Sequence, residues 1–122
     1  MINNKPVLLA ILLLLLPRGI QAEEKPPGDC TANRHAELKA AVGRACKSGS
    51  MKCSGPEPCL QLQANWDQFQ ACIDAREAIA QECFKGGDAK HRDAIQDYKN
   101  GANKCRQRMI EKNCPNTPEI CQ

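Results

Sequence analysis

All nine cysteines of this chain lie at or beyond residue 30, behind an unbroken apolar run from Val7 to Leu16. Few arrangements constrain a short chain more. Cysteines in this number persist as disulfides only where the surroundings are oxidising, and small exported domains use them to make up for a thin core. The leading segment fits that setting. Lys5 is positively charged, Pro17-Arg18-Gly19 breaks the apolar run, and Ile20-Gln21-Ala22 ends in a small residue suited to a signal peptidase. An apolar run of about ten residues is half the ~20 needed to cross a bilayer. Residues 1–22 therefore read as a signal peptide, cleaved after Ala22. The protein is expected to be secreted or periplasmic, with no membrane span in its mature form and no cysteine placed for a lipid anchor.

The remainder reads as a single domain. Residues 23–29, with Pro26-Pro27-Gly28, form a flexible lead-in, 30–113 the cysteine-rich helical domain, and 114–122 a tail that carries Cys114 and Cys121. Aromatic residues are scarce: Trp66, Phe69, Phe84 and Tyr98 are the only ones. Disulfides, at ~2–5 kcal/mol each in small exported domains, are expected to decide stability. A net charge of +3 with no arginine-rich block does not by itself argue for nucleic-acid binding.

Three helical stripes follow. Thr31 is a good N-cap, and His35, Leu38, Val42 and Cys46 recur at helical spacing, so 31–47 is expected to be a helix. Residues 48–58 are rich in serine, glycine and proline and read as a loop. A second helix is expected over 59–84, with Leu62, Trp66, Phe69, Ile73, Arg76, Ala80 and Cys83 along one face. Gly86-Gly87 ends it. Asp88 caps a third helix, about 89–113, whose face carries His91, Ile95, Tyr98, Ala102, Cys105 and Met109. The expected fold is all-α, a small disulfide-stapled three-helix up-down-up bundle.

Antiparallel register suggests the pairings Cys72–Cys105 and Cys30–Cys83, with Cys59 joined to Cys46 or Cys53. Cys114–Cys121 would close the tail, although Cys59–Cys114 also fits the register. An odd number leaves at least one thiol free or paired between molecules. Cys53-x5-Cys59 is not the tight two-residue hook of structural zinc sites, so neither a metal nor a cofactor is expected.

The two histidines, His35 and His91, each lie near the N-terminus of their helix, on its apolar stripe. In an up-down-up bundle these positions converge at one end, beside Asp88 and the Gly-Gly turn. Arg34, Lys85, Lys90 and Arg92 add positive charge, and two helix N-termini favour an anion there. Imidazoles titrate near neutrality, so such a pair has the parts to take and give protons at a phosphate ester, with Asp88 orienting His91. Arg76 lies on a core-facing stripe and needs Glu37, Glu77 or a ligand as its partner. Against this stands a structural reading in which the histidines fill the core edge and Asp88 is only a cap. No Gly-x-Ser-x-Gly elbow, nucleotide-binding loop or paired-histidine zinc helix is present.

The segment Cys83-Phe-Lys-Gly-Gly-Asp-Ala-Lys-His91 resembles the novel toxin 16 family of bacterial polymorphic-toxin C-terminal domains. The likeness runs through His35-Ala-Glu-Leu38, Val42, Cys46, Cys53, Cys59, Cys72-Ile-Asp-Ala-Arg76 and Ile79 to Cys105, covering roughly 30–106. It implies a small helical toxin domain, usually fused behind a large delivery protein and neutralised by a cognate immunity protein. The matching polar positions are His35, Arg76, Asp88 and His91. This chain is expected to differ in carrying its own leader and no delivery domain, and its tail cysteines lie beyond the likeness. Two readings result. One is a secreted toxin-like domain acting in bacterial competition, with a histidine pair directed at a phosphodiester or other anionic substrate, nucleic acid among them. The alternative is a non-enzymatic disulfide-rich periplasmic binding or inhibitor protein.

Overall fold

The computed structural model describes residues 29–47 and 51–121, and the signal peptide expected over 1–22 lies outside them. Helix α1 spans Ala32–Ala45, α2 Cys59–Cys83 and α3 Ala89–Glu111, and no strand occurs among the described residues. Thr31 caps α1 by accepting the Arg34 backbone N–H at 3.2 Å. Asp88 caps α3 by accepting that of His91 at 2.9 Å. Helix α2 ends where Lys85, Gly86 and Gly87 all take positive φ, and the Gly86 N–H closes onto the Ala80 carbonyl at 3.0 Å. The up-down-up order and the all-α class expected from the stripes are both present.

Helix α2 is the spine. Both α1 and α3 pack on it, and they make no backbone-level contact with each other. Helix α1 has 14 residues against 25 in α2 and covers only the C-terminal half of its partner. Two apolar clusters result. Beneath α1, Leu38, Ile79 and Cys83 pack with Cys30, Val42 and Phe84. Towards the other end, Leu62, Phe69, Ile73, Ala102 and Met109 pack with Cys53 and Cys105. There the cover comes from loop 51–58 and the tail. Buried Asn65 holds the loop, donating from Nδ2 to the Lys52 carbonyl at 2.8 Å and accepting from Gln61 Nε2 at 2.7 Å. Asn103 holds the tail through both the N–H and the carbonyl of Cys121, at 2.7 and 3.0 Å.

Four disulfides staple these parts: Cys30–Cys83, Cys46–Cys72, Cys53–Cys105 and Cys59–Cys114. Cys30–Cys83 is as expected, and Cys59–Cys114 was one of the open alternatives. The expected Cys72–Cys105 pairing is corrected, as is the pairing of Cys59 with Cys46 or Cys53. Cys72 and Cys83 are eleven residues apart, which on a helix of 3.6 residues per turn is one face, and that face meets α1. Cys46 at the end of α1 therefore reaches Cys72. The loop must then cross the uncovered half of the molecule, and it carries Cys53 to Cys105. Cys114–Cys121 does not form, because the tail folds back until Cys121 lies against Gln70 and Asn103, leaving its thiol free.

Two glycines within helices are expected to respond in opposite ways to alanine. At Gly43 a Cβ would meet nothing within 4 Å, so Gly43→Ala should raise stability by ~0.5–1 kcal/mol through helix propensity. At Gly101 a Cβ would fall 2.5 Å from the ring of buried Phe69. Overpacking there should outweigh the propensity gain, so Gly101→Ala is expected to cost ~1–3 kcal/mol. Thermal melts of the two oxidised variants check the opposite signs.

The loop also carries a charge latch. Glu57 accepts from the Ser54 N–H at 2.9 Å, the Ser54 hydroxyl at 2.7 Å and the Gly55 N–H at 2.8 Å. These donors, the Ser54 backbone foremost, lower the carboxyl pKa from 4.5 to about 2. A depressed folded value means that the unfolded chain protonates first on acidification. The contribution is fully present above pH 4.5 and is lost as pH falls towards 2. Glu57→Gln should therefore flatten the fall in melting temperature across that window, and melts at stepped pH measure it.

Candidate functional site

Because α1 and α3 do not close on each other, a cleft stays open over the C-terminal half of α2. It holds about 240 Å³ and is lined by His35, Lys39 and Val42 from α1, Arg76 and Ile79 from α2, Phe84 from the turn and His91 from α3. The two histidines thus reach one cleft, as the stripe argument expects.

His91 is held from two sides. Its Nδ1 lies 2.8 Å from Asp88 Oδ1, the same oxygen that caps α3. These contacts, the His91 backbone N–H first and its ring second, hold the Asp88 carboxyl below its ordinary value of 3.8. An ionised carboxylate accepts only, so Nδ1 of His91 is the donor in this contact, and Nε2 is the ring nitrogen not committed to Asp88. The opposite constraint comes from Phe84, whose ring centroid lies 4.2 Å from that of His91 at an interplanar angle of 33°. His35 meets the same phenyl ring edge-on, with centroids 6.2 Å apart. Phe84 therefore touches both imidazoles. The backbone permits this approach because Gly87, at φ +94°, has no side chain: a Cβ there would sit 3.2 Å from that of His91.

Of the expected partners of Arg76, Glu37, Glu77 or a ligand, neither glutamate is the one it meets. Glu77 pairs instead with Lys99 at 3.3 Å, and Glu37 with Arg34 at 3.2 Å. The Arg76 guanidinium lies over the Tyr98 ring, 4.8 Å from its centroid, with Nη2 3.5 Å from the phenol oxygen. Its Nε is buried with no acceptor among the described residues. Among the described residues this half-buried guanidinium pairs with no carboxylate; its neighbours are an aromatic face and a phenol, and it borders the cleft.

The expected ring of rim charge is only partly assembled. Arg34 is spent on a fork to Glu82, at 2.6 and 2.8 Å, which ties the start of α1 to the end of α2 beside Cys30–Cys83. Arg92 points to the far side of the α2–α3 seam, where its Nη1 donates to the Gly87 carbonyl at 2.7 Å. Lys85 and Lys90 are exposed. In their place stands Lys39, which sequence reasoning passed over. It lies four residues after His35, and that spacing puts both on one face of α1. Phe84 was counted only as an aromatic, although its position next to Cys83 fixes it at the cleft. Among the described residues no group of three or more histidine, cysteine or acidic side chains is placed to hold a metal, and no helix is long and apolar enough to cross a membrane.

Comparison with known proteins agrees with the likeness read from the motifs. No curated protein and no solved structure matches the chain. The family model for Novel toxin 16 matches residues 25–108, a span that includes His35, Arg76, Asp88 and His91. Over more than half of its length, and across the whole of the cleft, this chain belongs to the Novel toxin 16 family.

Proposed function

We propose that this toxin-family domain acts as an exported effector in bacterial competition and that its working end is the histidine cleft, directed at a phosphodiester. The observation that carries the reading is the meeting of His35 and His91 with Lys39 and carboxylate-free Arg76 in one cleft. His91, with Nδ1–H committed to Asp88, presents Nε2 as a general base to the attacking hydroxyl or water. His35, when protonated, donates to the oxygen leaving phosphorus. One P–O bond forms and one breaks, the base takes the proton of the nucleophile, and the acid supplies that of the leaving group. Arg76 and Lys39 stabilise the negative charge that grows on the phosphoryl oxygens. Val42, Ile79 and Phe84 make the floor apolar, which strengthens each of these electrostatic interactions. A cognate immunity protein, implied by family membership, would have to cover or distort this end.

The test uses purified, fully oxidised protein with end-labelled single-stranded RNA and DNA of the same sequence. Cleavage by the wild type that is lost in both His35→Ala and His91→Ala supports the reading. Cleavage that survives either substitution, or none by an oxidised and helical wild type on either polymer, overturns it and favours a non-enzymatic binding protein.

A further inference from the structure

The histidine cleft is small. At about 240 Å³ it falls below the roughly 300–1,000 Å³ of clefts that enclose a whole small ligand, so it grips one group of something larger. A second groove of about 270 Å³ is built from the same two helices, α2 and α3, and lined by Glu77, Gln81, Arg92, Gln96 and Lys99 with Gly86 of the turn. The two share a wall by sequence. Arg76 faces one and Glu77 the other, and His91 faces one and Arg92 the other. The ridge between them includes Gly87, which adds no side chain and is flanked by the Cβ atoms of Ala80 and His91 and the Cγ of Arg92.

The chemistry of the second groove suits a phosphate flanked by polar groups. Among the described residues the Arg92 guanidinium donates to a neutral carbonyl, that of Gly87, and pairs with no carboxylate. Lys99 is paired with Glu77 at 3.3 Å, a half-buried pair at the groove wall that a phosphate competes with. Gln81 and Gln96 supply amide donors and acceptors. We propose that this groove, centred on Arg92 and Lys99, is a second phosphate subsite. It holds the linkage next to the one in the histidine cleft, so that a single-stranded nucleic acid is laid over the Gly86-Gly87 turn. The inference rests on the phosphodiester reading and deepens it: the cleft selects a polymer over a single ester because half of the grip lies beyond the ridge.

The experiment is fluorescence anisotropy of the oxidised protein with a labelled 2′-O-methyl RNA hexamer and a labelled 2′-O-methyl dimer, which holds one phosphodiester and resists cleavage through its own 2′ oxygen. The wild type is expected to bind the hexamer at least about tenfold more tightly than the dimer, as one extra charge-assisted contact allows. Arg92→Gln should remove roughly that tenfold and lower the salt slope of hexamer binding by about one, leaving the dimer unchanged. Glu77→Gln, which frees Lys99, should tighten the hexamer alone. A hexamer bound no better than the dimer overturns the second subsite and leaves the phosphodiester reading standing. So does Arg92→Gln weakening both ligands equally, since Arg92 would then act through the Gly87 turn. Binding of neither ligand overturns both.

Discussion

His91→Ala is expected to lower turnover on a phosphodiester by about 100- to 10,000-fold while leaving the oxidised fold and its melting temperature close to wild type. The range is that of a positioned general base. The fold should tolerate the change because the imidazole is partly exposed, and its contacts are to the surface carboxylate of Asp88 and one face of Phe84. The α3 cap survives, since Asp88 accepts from the backbone N–H of residue 91 whatever the side chain. Asp88→Asn separates the two tasks of that residue. An asparagine still caps the helix, but without a charge it no longer fixes the proton on Nδ1. Its activity should fall between wild type and His91→Ala, with helicity unchanged. Steady-state rates beside circular dichroism on the same samples give both quantities.

The largest structural effect is expected from the double substitution Cys53→Ala/Cys105→Ala. Both sulfurs are buried, with Cys105 fully inaccessible, and they sit inside the apolar cluster of Leu62, Phe69 and Met109. The bond closes 52 residues of sequence, and in the chain-entropy account loss of such a link costs ~2–5 kcal/mol. Here the entropy loss is joined by a packing loss, because α1 does not reach this half of α2 and loop 51–58, with Cys53 inside it, closes the side that α3 leaves open. Cys30→Ala/Cys83→Ala removes a bond of similar span, yet the Arg34–Glu82 fork still holds α1 to α2. The Cys53/Cys105 variant should therefore be the less stable of the two. Denaturant midpoints of the two double variants, each with its other three disulfides confirmed by thiol counting, test the order.

How far the chain could be read in advance depended on whether the signal was local. The helices announced themselves through stripe periodicity and through Thr31 and Asp88, whose caps act within one turn. The convergence of His35 and His91 was legible too, because it needs only the up-down-up order and their positions near helix starts. Disulfide partners were harder, since they depend on relative helix length. The eleven-residue spacing of Cys72 and Cys83 did carry the answer, because two cysteines on one face of α2 must serve the same neighbour. The partner of Arg76 was out of reach. Whether a stripe residue meets Glu37, Glu77 or Tyr98 depends on side-chain direction at the seam, and both glutamates turned out to hold other cations. Lys39 and Phe84 joined the site because α1 and α3 stand apart over α2, a property of packing that no stripe records.

The most direct test of the central claim is growth of a bacterial host with an oxidising cytoplasm that produces residues 23–122, beside the His35→Ala/His91→Ala double variant at equal levels of oxidised protein. A toxin working through the histidine cleft predicts that the wild type halts growth and the double variant does not. Equal arrest by both, or undisturbed growth while oxidised wild type accumulates, would contradict it.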